Sequence, residues 1–226
     1  MTAVPQLELA PGFHISRILK GGWQLSQGHR QQLDADPVAD MFRFAEAGIT
    51  TFDCADIYTG VEELIGKFLH RWKSLHGTPQ PVRVITKFVP DYDDLATMDR
   101  SDVRRIIDRS LQRLGMERLD MVQFSWWNYQ VNRYVEVAGW LRELQQEGKI
   151  ELISGTNFNT SSTREILQAG IPLATMQVQY SLLDRRPERG LAPLCAETGM
   201  KLLCYGTVAG GFLSERWLGK PDPGQP

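Results

Sequence analysis

The sequence predicts an α/β protein in which a parallel sheet is covered by helices. Short apolar segments typical of strands alternate with amphipathic segments typical of helices, at intervals of about 25 to 35 residues, the size of one β-α-β unit. The chain has 226 residues, which is enough for one sizeable core and too few for two complete domains of this kind. We therefore expect a single domain over residues 1–226.

The first elements are a hairpin and a short strand. Apolar and polar residues alternate around Ala10-Pro11-Gly12, which predicts a β-hairpin, and residues 17–20 predict the first strand of the sheet. Gly21 and Gly22 follow that strand. Two glycines there indicate either a close approach of the backbone to a ligand or a tight turn, and the residues alone favour neither.

Three helices are predicted in the first half of the chain. Asp36 and Pro37 are typical of an N-cap and first turn. A second helix begins near Val61, with Leu64, Ile65, Phe68 and Leu69 at helical spacing. Ser101 is the expected cap of a third helix, which ends at Gly115. The apolar face of that third helix consists of Val103, Ile106, Ile107, Leu111 and Leu114.

Six further strands complete a count of seven. One of them ends at Asp53, and the other five cover residues 82–87, 119–124, 150–154, 174–179 and 201–205. Helices are predicted at residues 160–169 and 191–197, and another helix ends at Gly148. An eightfold barrel needs one more helix and strand. Residues 220–226 are rich in proline and glycine, so we expect no central strand there.

Composition argues against several kinds of partner. The 25 basic and 27 acidic residues give a net charge of −2, so bulk charge favours neither nucleic acid nor an anionic membrane. The amino terminus has no basic segment followed by an apolar one, and no apolar run reaches the length of a membrane span. Three cysteines without a CxxC spacing fit a reducing compartment, and the four histidines form no metal pair. We expect a cytoplasmic protein without a metal.

Three chemically related side chains follow strand ends. Asp53 ends one strand, Tyr58 follows five residues later, and Lys87 ends the next strand. An ammonium group beside a phenol lowers the phenol's pKa, while a carboxylate pairs with the lysine and orients it, so together they form a proton donor. The alternative is that all three are solvated surface residues.

Seven motifs in order resemble those of the aldo-keto reductases, from Gly21 to about Glu215. They are G-G-W, D-C-A-D-I-Y-T-G-V-E-E-L-I-G, I-T-K, L-D-M-V-Q-F-S-W-W, S-G-T-N-F, Q-V-Q-Y-S and L-L-C-Y-G-T-V-A-G-G-F-L. The resemblance implies a TIM (β/α)8-type barrel, here short of the last helix-strand unit and preceded by the hairpin. It also implies a nicotinamide cofactor, NADP(H) or else NAD(H), bound without a Rossmann domain.

The resemblance also implies catalytic roles. Tyr58 would protonate a carbonyl oxygen as hydride arrives, Lys87 would lower the pKa of Tyr58, and Asp53 would anchor Lys87. Where the family usually has a histidine, this chain has Ser125, a shorter and neutral donor. Ser125 either makes room for a bulkier or differently oriented substrate, or marks an impaired enzyme that is retained as a non-catalytic cofactor-binding or regulatory barrel.

The remaining expected site residues contact cofactor or substrate. Asn157 and Gln179 would bind the nicotinamide carboxamide, and Tyr205 would stack on the ring. Trp23 and Trp126, with Tyr58, would contact a small carbonyl substrate, although such aromatic residues could equally pack under the loops. The full expected cofactor set is Gly22, Trp23, Asp53, Thr156, Asn157, Gln179, Tyr205, Gly206, Thr207, Val208 and Gly210.

Overall fold

The computed structural model describes residues 4–27, 36–77 and 82–221, and it begins with the predicted hairpin. Strands β1 (Gln6–Ala10) and β2 (Phe13–Ser16) pair antiparallel. Gly12 lies in the turn between them with φ of 76°, a left-handed conformation that favours glycine. The hairpin prediction is confirmed.

A parallel sheet of seven strands follows, in the order of the sequence. Its strands are β3 (Lys20–Gly21), β4 (Thr51–Asp53), β5 (Arg83–Phe88), β6 (Leu119–Phe124), β7 (Ile150–Thr156), β8 (Thr175–Gln179) and β9 (Lys201–Tyr205). The sheet curls into part of a barrel, as predicted. In the part of the chain that the structure describes, β3 and β9 are its two edges; residues 222–226 lie outside that part.

The first sheet strand is shorter and later than expected, since β3 covers Lys20–Gly21 rather than residues 17–20. The amide of Arg17 donates to the Pro5 carbonyl at 2.8 Å, which extends the hairpin. The Ser16 hydroxyl donates to the Ile18 carbonyl at 2.8 Å. Residues 17–19 are therefore used to turn the chain from the hairpin into the sheet.

Within the described residues, six α-helices connect the sheet strands and cover their outer face. They are α1 (Pro37–Glu46), α2 (Val61–His76), α3 (Arg100–Leu114), α4 (Tyr134–Gln146), α5 (Thr160–Gln168) and α6 (Leu191–Thr198). The side chain of Asp36 caps α1 as predicted, accepting from the amides of Val38 and Ala39.

The cap of α3 differs from the prediction. Asp99, not Ser101, is the N-cap, and its carboxylate accepts from the Ser101 amide at 2.7 Å and the Asp102 amide at 3.1 Å. Asp102 accepts in return from the Asp99 amide, completing a capping box. A carboxylate is the stronger acceptor, and the Ser101 hydroxyl donates to it at 2.6 Å.

The two faces of the sheet pack against different partners. On the outer face, large side chains such as Phe52, Phe88 and Phe124 are buried against the helices. On the inner face, Ile85 and Met121 pack with Phe13 and Ile15 of the hairpin, which covers one end of the curled sheet. Successive inward side chains along a strand are two residues apart. Lys87 and Gln123 therefore also face inward, but nearer to the opposite, carboxyl end of the sheet.

Among the described residues, no helix is both long and apolar enough to cross a membrane. The same part of the chain contains no group of three potential metal-binding side chains.

Candidate active site

A cavity of about 630 Å³ lies at the carboxyl ends of the sheet strands. Parallel strands bring their carboxyl ends to one edge of a curled sheet, where catalytic residues of such folds collect. The cavity brings together Asp53, Tyr58, Lys87 and Ser125, the four residues expected to act in catalysis. Its other lining residues are Gly21, Trp23, Gln24, Ala55, Ile57, Val89, Trp127, Thr156, Asn157, Gln177, Tyr205 and Gly206.

Asp53 and Lys87 form an ion pair at the base of the cavity. The Lys87 Nζ lies 2.6 Å from Asp53 Oδ1 and donates to the Cys54 carbonyl at 2.9 Å. Both side chains are largely buried. The neighbouring strands β4 and β5 therefore hold the ammonium group in place with two acceptors.

Gln177 completes this pair and was missed by the sequence analysis. Its Nε2 donates to Asp53 Oδ2 at 2.8 Å, and its Oε1 lies 3.5 Å from the Thr156 hydroxyl. Gln179, the glutamine that we expected in the site, is exposed at the end of β8 and does not line this cavity. The two share a strand face because they are two residues apart, so alternation could have indicated the deeper glutamine as a candidate.

Tyr58 is held in the cavity by a turn between β4 and α2. Its amide donates to the Ala55 carbonyl at 3.0 Å, and its carbonyl accepts from the Val61 amide at 3.0 Å. Gly60, with φ of 80°, ends the turn in a left-handed conformation. The Tyr58 ring packs edge-on against Trp23, with centroids 5.0 Å apart, so Trp23 lies in the cavity as expected.

The electrostatics of Tyr58 differ from the expectation that Lys87 lowers its pKa. Burial raises the pKa of the Tyr58 phenol, and the Asp53 carboxylate raises it further. Lys87 Nζ lies 5.5 Å from the centre of the Tyr58 ring and 2.6 Å from Asp53. Asp53 therefore offsets part of the field that the Lys87 ammonium group exerts on the phenol.

Ser125 follows β6 and lines the cavity, with its amide donating to the Phe88 carbonyl at 3.0 Å. The next residue, Trp126, was expected to contact substrate but is 5% exposed. Its indole N–H lies 3.0 Å from the carbonyls of both Asn128 and Val131, so it packs under this loop. Trp127 lines the cavity instead, with its indole donating to the Pro90 carbonyl at 2.7 Å.

Asn157 and Tyr205 form a second polar pair on the cavity wall. The Tyr205 hydroxyl donates to Asn157 Oδ1 at 3.0 Å, and the Asn157 amide donates to the Gln177 carbonyl at 2.8 Å. Asn157 has φ of 59°, a left-handed conformation that asparagine tolerates. A side-chain amide and a partly exposed aromatic face therefore line one wall, beside Thr156 and Gly206.

Gly21, which ends β3, and Gly22, which follows it, each fit a different one of the two alternatives left open by the sequence. Gly21 lines the cavity. Gly22 instead packs against β4: its amide donates to the Asp53 carbonyl at 2.7 Å, and an added Cβ would lie 2.8 Å from that same oxygen. Gly22 therefore serves the close packing of strand and loop. Thr207, Val208 and Gly210 lie beyond the main cavity, around a short turn at Ala209–Gly211.

The donor set fits the nicotinamide end of a dinucleotide. A carboxamide needs paired donors and acceptors, which Asn157 and Thr156 offer, and a planar ring needs an aromatic face, which Tyr205 offers. All three line the same cavity as Tyr58.

Comparisons with known proteins agree on one family. The model of the Aldo/keto reductase family matches residues 17–226. The chain is 29% identical over 220 residues to the NADH-specific methylglyoxal reductase of Escherichia coli, covering 88% of this chain and 66% of the relative. It is 29% identical over 219 residues to the chloroplastic pyridoxal reductase of Arabidopsis thaliana, covering 91% of this chain and 59% of the relative. The chain thus spans less than two thirds of the length of these relatives.

The solved structures show the same fold. An aldo-keto reductase from Bacillus halodurans, in its holo form, superposes with a TM-score of 0.76 at 24% identity. The superposition covers 98% of this chain and 71% of the other. At this identity the likeness establishes the fold alone.

Proposed function

The chain belongs to the aldo/keto reductase family, and from this premise we propose that it reduces the carbonyl group of a small aldehyde or ketone, using NADPH or NADH. The observation that carries the proposal is the common cavity of Asp53, Tyr58 and Lys87. In this proposal hydride adds to the carbonyl carbon and a proton adds to the oxygen, giving an alcohol.

Tyr58 is the proposed proton donor. Because burial raises the pKa of its phenol, the hydroxyl keeps its proton at neutral pH and gives it up only to an oxygen that is becoming negative. Lys87, 5.5 Å from the ring centre, stabilises the resulting phenolate. Its pairing with Asp53 restrains the ammonium group in this position.

Ser125 shapes the space around the reacting carbonyl. A serine hydroxyl can donate one hydrogen bond to the carbonyl oxygen and occupies less volume than an imidazole. The exposed rings of Trp23 and Trp127 border the same cavity. These aromatic walls favour carbonyl compounds with an apolar or aromatic substituent.

The cofactor, when bound, supplies the hydride. Asn157 and Thr156 would hold its carboxamide, and Tyr205 would pack against its ring. Thr207 and the turn at Ala209–Gly211 would lie toward its phosphates, where barrels of this type commonly bind phosphate. NADPH is the cofactor that we expect, and NADH is the necessary comparison because the Escherichia coli relative is named NADH-specific.

The test is a reductase assay on a panel of aldehydes and ketones, in which the consumption of NADPH or NADH is measured. We expect turnover that Tyr58→Phe abolishes while binding of the reduced cofactor, followed by fluorescence, is retained. Tyr92→Phe is the matched control, since Tyr92 is an exposed tyrosine that does not line the cavity. Absence of both cofactor binding and turnover in the unmodified protein would refute the proposal.

A further inference from the structure

Two acidic side chains are buried behind the loop that carries Tyr58, and neither lines the cavity or has a role in the chemistry above. We call residues 54–60 the Tyr58 loop. Asp56, within this loop, is 5% exposed, and Glu62, in the first turn of α2, is 1% exposed. Buried carboxylates are costly unless they are paired or hydrogen-bonded, so their partners indicate what they do.

Glu62 is well partnered. One of its carboxylate oxygens accepts from the Thr86 hydroxyl at 2.7 Å, and the other lies 3.3 Å from Nη1 of Arg113. Its position in the first turn of α2 adds the favourable field of the helix N-terminus. These contacts satisfy the hydrogen-bonding needs of the buried Glu62 carboxylate.

Asp56 ties the Tyr58 loop to β5 and the segment after it. Its amide donates to the Lys87 carbonyl at 3.2 Å, and its Oδ1 accepts from the Val89 amide at 3.2 Å. Its carbonyl accepts from Nη1 of Arg113 at 3.0 Å. Asp56 is therefore a link between the strand that supplies Lys87 and the loop that supplies Tyr58.

The Asp56 carboxylate is poorly compensated for charge. Arg113 is already engaged by Glu62 and, at 3.2 Å, by Glu63. Among the described residues, the nearest guanidinium to Asp56 Oδ2 is that of Arg109, at 3.9 Å and with 41% of its side chain exposed. An ionised Asp56 would thus face the Glu62 carboxylate in a buried site where, within the described part of the chain, the nearest cation to the Asp56 carboxylate is the partly solvated Arg109.

The pKa of Asp56 depends on the charged groups of the elements packed around it. Burial and the Glu62 carboxylate raise the pKa of Asp56 to about 7, against the lowering effect of the Val89 amide and of Arg109. On β5, Lys87 is paired with Asp53. Charge on Asp56 in turn raises the pKa of Tyr58.

We propose that Asp56 is a positioning residue that ties the Tyr58 loop to β5, and whose ionisation places a second negative charge behind the loop and makes Tyr58 a weaker acid. The catalytic consequence rests on the proposed function of Tyr58. The coupling between the two side chains does not, so the two can be tested separately.

The coupling is tested by NMR on protein labelled with ¹³C at the ζ carbon of tyrosine, with the Tyr58 resonance assigned by its loss in Tyr58→Phe. We expect the resonance to shift with a midpoint near pH 7, the value to which burial raises the pKa of Asp56. Asp56→Asn, which keeps the acceptor for the Val89 amide, should remove the inflection. Glu62→Gln removes the like charge and should move the midpoint to lower pH.

The matched control is Glu63→Gln, which removes a carboxylate that pairs with the same Arg113 but has 46% of its side chain exposed. The inflection should remain there with little change. A Tyr58 resonance without an inflection around neutral pH, or an inflection that persists in Asp56→Asn, would overturn the coupling.

The consequence for the reaction is read from kcat. In the unmodified protein kcat should fall by about threefold between about pH 6 and 8, because Tyr58 becomes a weaker acid. This change is smaller than the roughly tenfold effect that corresponds to a full pKa unit. Asp56→Asn should abolish this fall while leaving KM within about twofold. A pH-independent kcat in the unmodified protein would overturn the catalytic part. If no substrate is turned over at all but the Tyr58 inflection is present, the proposed reductase function fails and the coupling stands.

Discussion

Gln177 and Asp53, which are 124 residues apart in the chain, are joined by a 2.8 Å hydrogen bond from Nε2 to Oδ2 across the floor of the cavity. Asp53 therefore has partners on both carboxylate oxygens, since Lys87 lies 2.6 Å from the other. The bond connects β8 to β4 through the interior of the curled sheet. It makes the orientation of the Asp53–Lys87 pair depend on a strand that the sequence motifs did not associate with it.

Replacing Gln177 should disturb the ion pair. Gln177→Leu leaves Asp53 Oδ2 without a partner, and the unmet hydrogen bond of a buried carboxylate should cost about 2 kcal/mol of folding free energy. We expect kcat to fall by about tenfold, since Lys87 is then less well oriented. Urea denaturation measures the change in folding free energy, and steady-state kinetics measures the change in kcat. Gln179→Leu is the control on the same strand face; an equal loss in both variants would contradict this assignment.

Removing Lys87 should affect stability as well as activity. Lys87→Met leaves the largely buried Asp53 carboxylate with only Gln177 as a partner, and such a loss should lower the free energy of unfolding by about 3 kcal/mol near neutral pH. The measurement is denaturant unfolding of the parent and the variant at neutral pH. A variant as stable as the parent would show that the pair contributes nothing to stability.

Ser125→His tests whether the missing imidazole limits the reaction. Serine is a weaker and shorter donor to a developing oxyanion, so we expect the histidine variant to raise kcat for small aldehydes by about tenfold. For substrates with bulky aromatic groups, the larger side chain should raise KM. Ser125→Ala removes the hydroxyl but keeps a small side chain, so it distinguishes the effect of the hydrogen-bond donor from the effect of the space beside it. If Ser125→His slows every substrate, the role of Ser125 is to provide room.

Asp56 should make the protein less stable as the pH rises toward neutrality. Burial raises the pKa of Asp56 to about 7, above its value of about 4 in the unfolded chain. Between about pH 4 and about pH 7 the folded state therefore binds a proton on Asp56 that the unfolded state has lost. The stability that this proton contributes is fully present below about pH 4 and is lost as pH rises through about 7. Its slope approaches about 1.4 kcal/mol per pH unit.

The measurement is the free energy of unfolding of the parent and Asp56→Asn at a series of pH values. The variant lacks the titrating group, so the difference between the two proteins should change in favour of Asp56→Asn as pH rises. Parallel profiles would mean that the Asp56 proton is not linked to folding.

Gly22 and Gly139 offer a matched pair of substitutions. In Gly22→Ala the new Cβ would lie 2.8 Å from the Asp53 carbonyl and 2.9 Å from Val61, which should cost about 2 kcal/mol through forced displacement of the backbone. Gly139 lies within α4, and nothing lies within 4 Å of its added Cβ. Gly139→Ala should therefore stabilise the protein by about 0.5 kcal/mol. Thermal unfolding compares the two, and equal effects would contradict the steric explanation.

Local patterns were sufficient for most of the elements. Strands β6 and β9 have the predicted bounds, and the Asp36–Pro37 start of α1 was read correctly, because caps, breakers and periodicity act over a few neighbouring residues. The cap of α3 was misplaced by two residues because Asp99 and Ser101 are both good caps and the carboxylate is the stronger acceptor. The start of the sheet was misplaced because residues 17–19 join the hairpin to it.

The sequence by itself determined the order of strands and helices, the family, and the positions of Asp53, Tyr58 and Lys87 at or after strand ends, since strand-end motifs and hydrophobic periodicity are local properties of the chain. Only the tertiary structure decided that Gln177 holds Asp53, that Trp127 rather than Trp126 lines the cavity, and that Asp56 and Glu62 share a buried site with too little positive charge. The reason is physical: hydrogen-bond partners and the pKa of a buried group depend on side chains brought together from distant strands and helices, and on the water that their packing excludes.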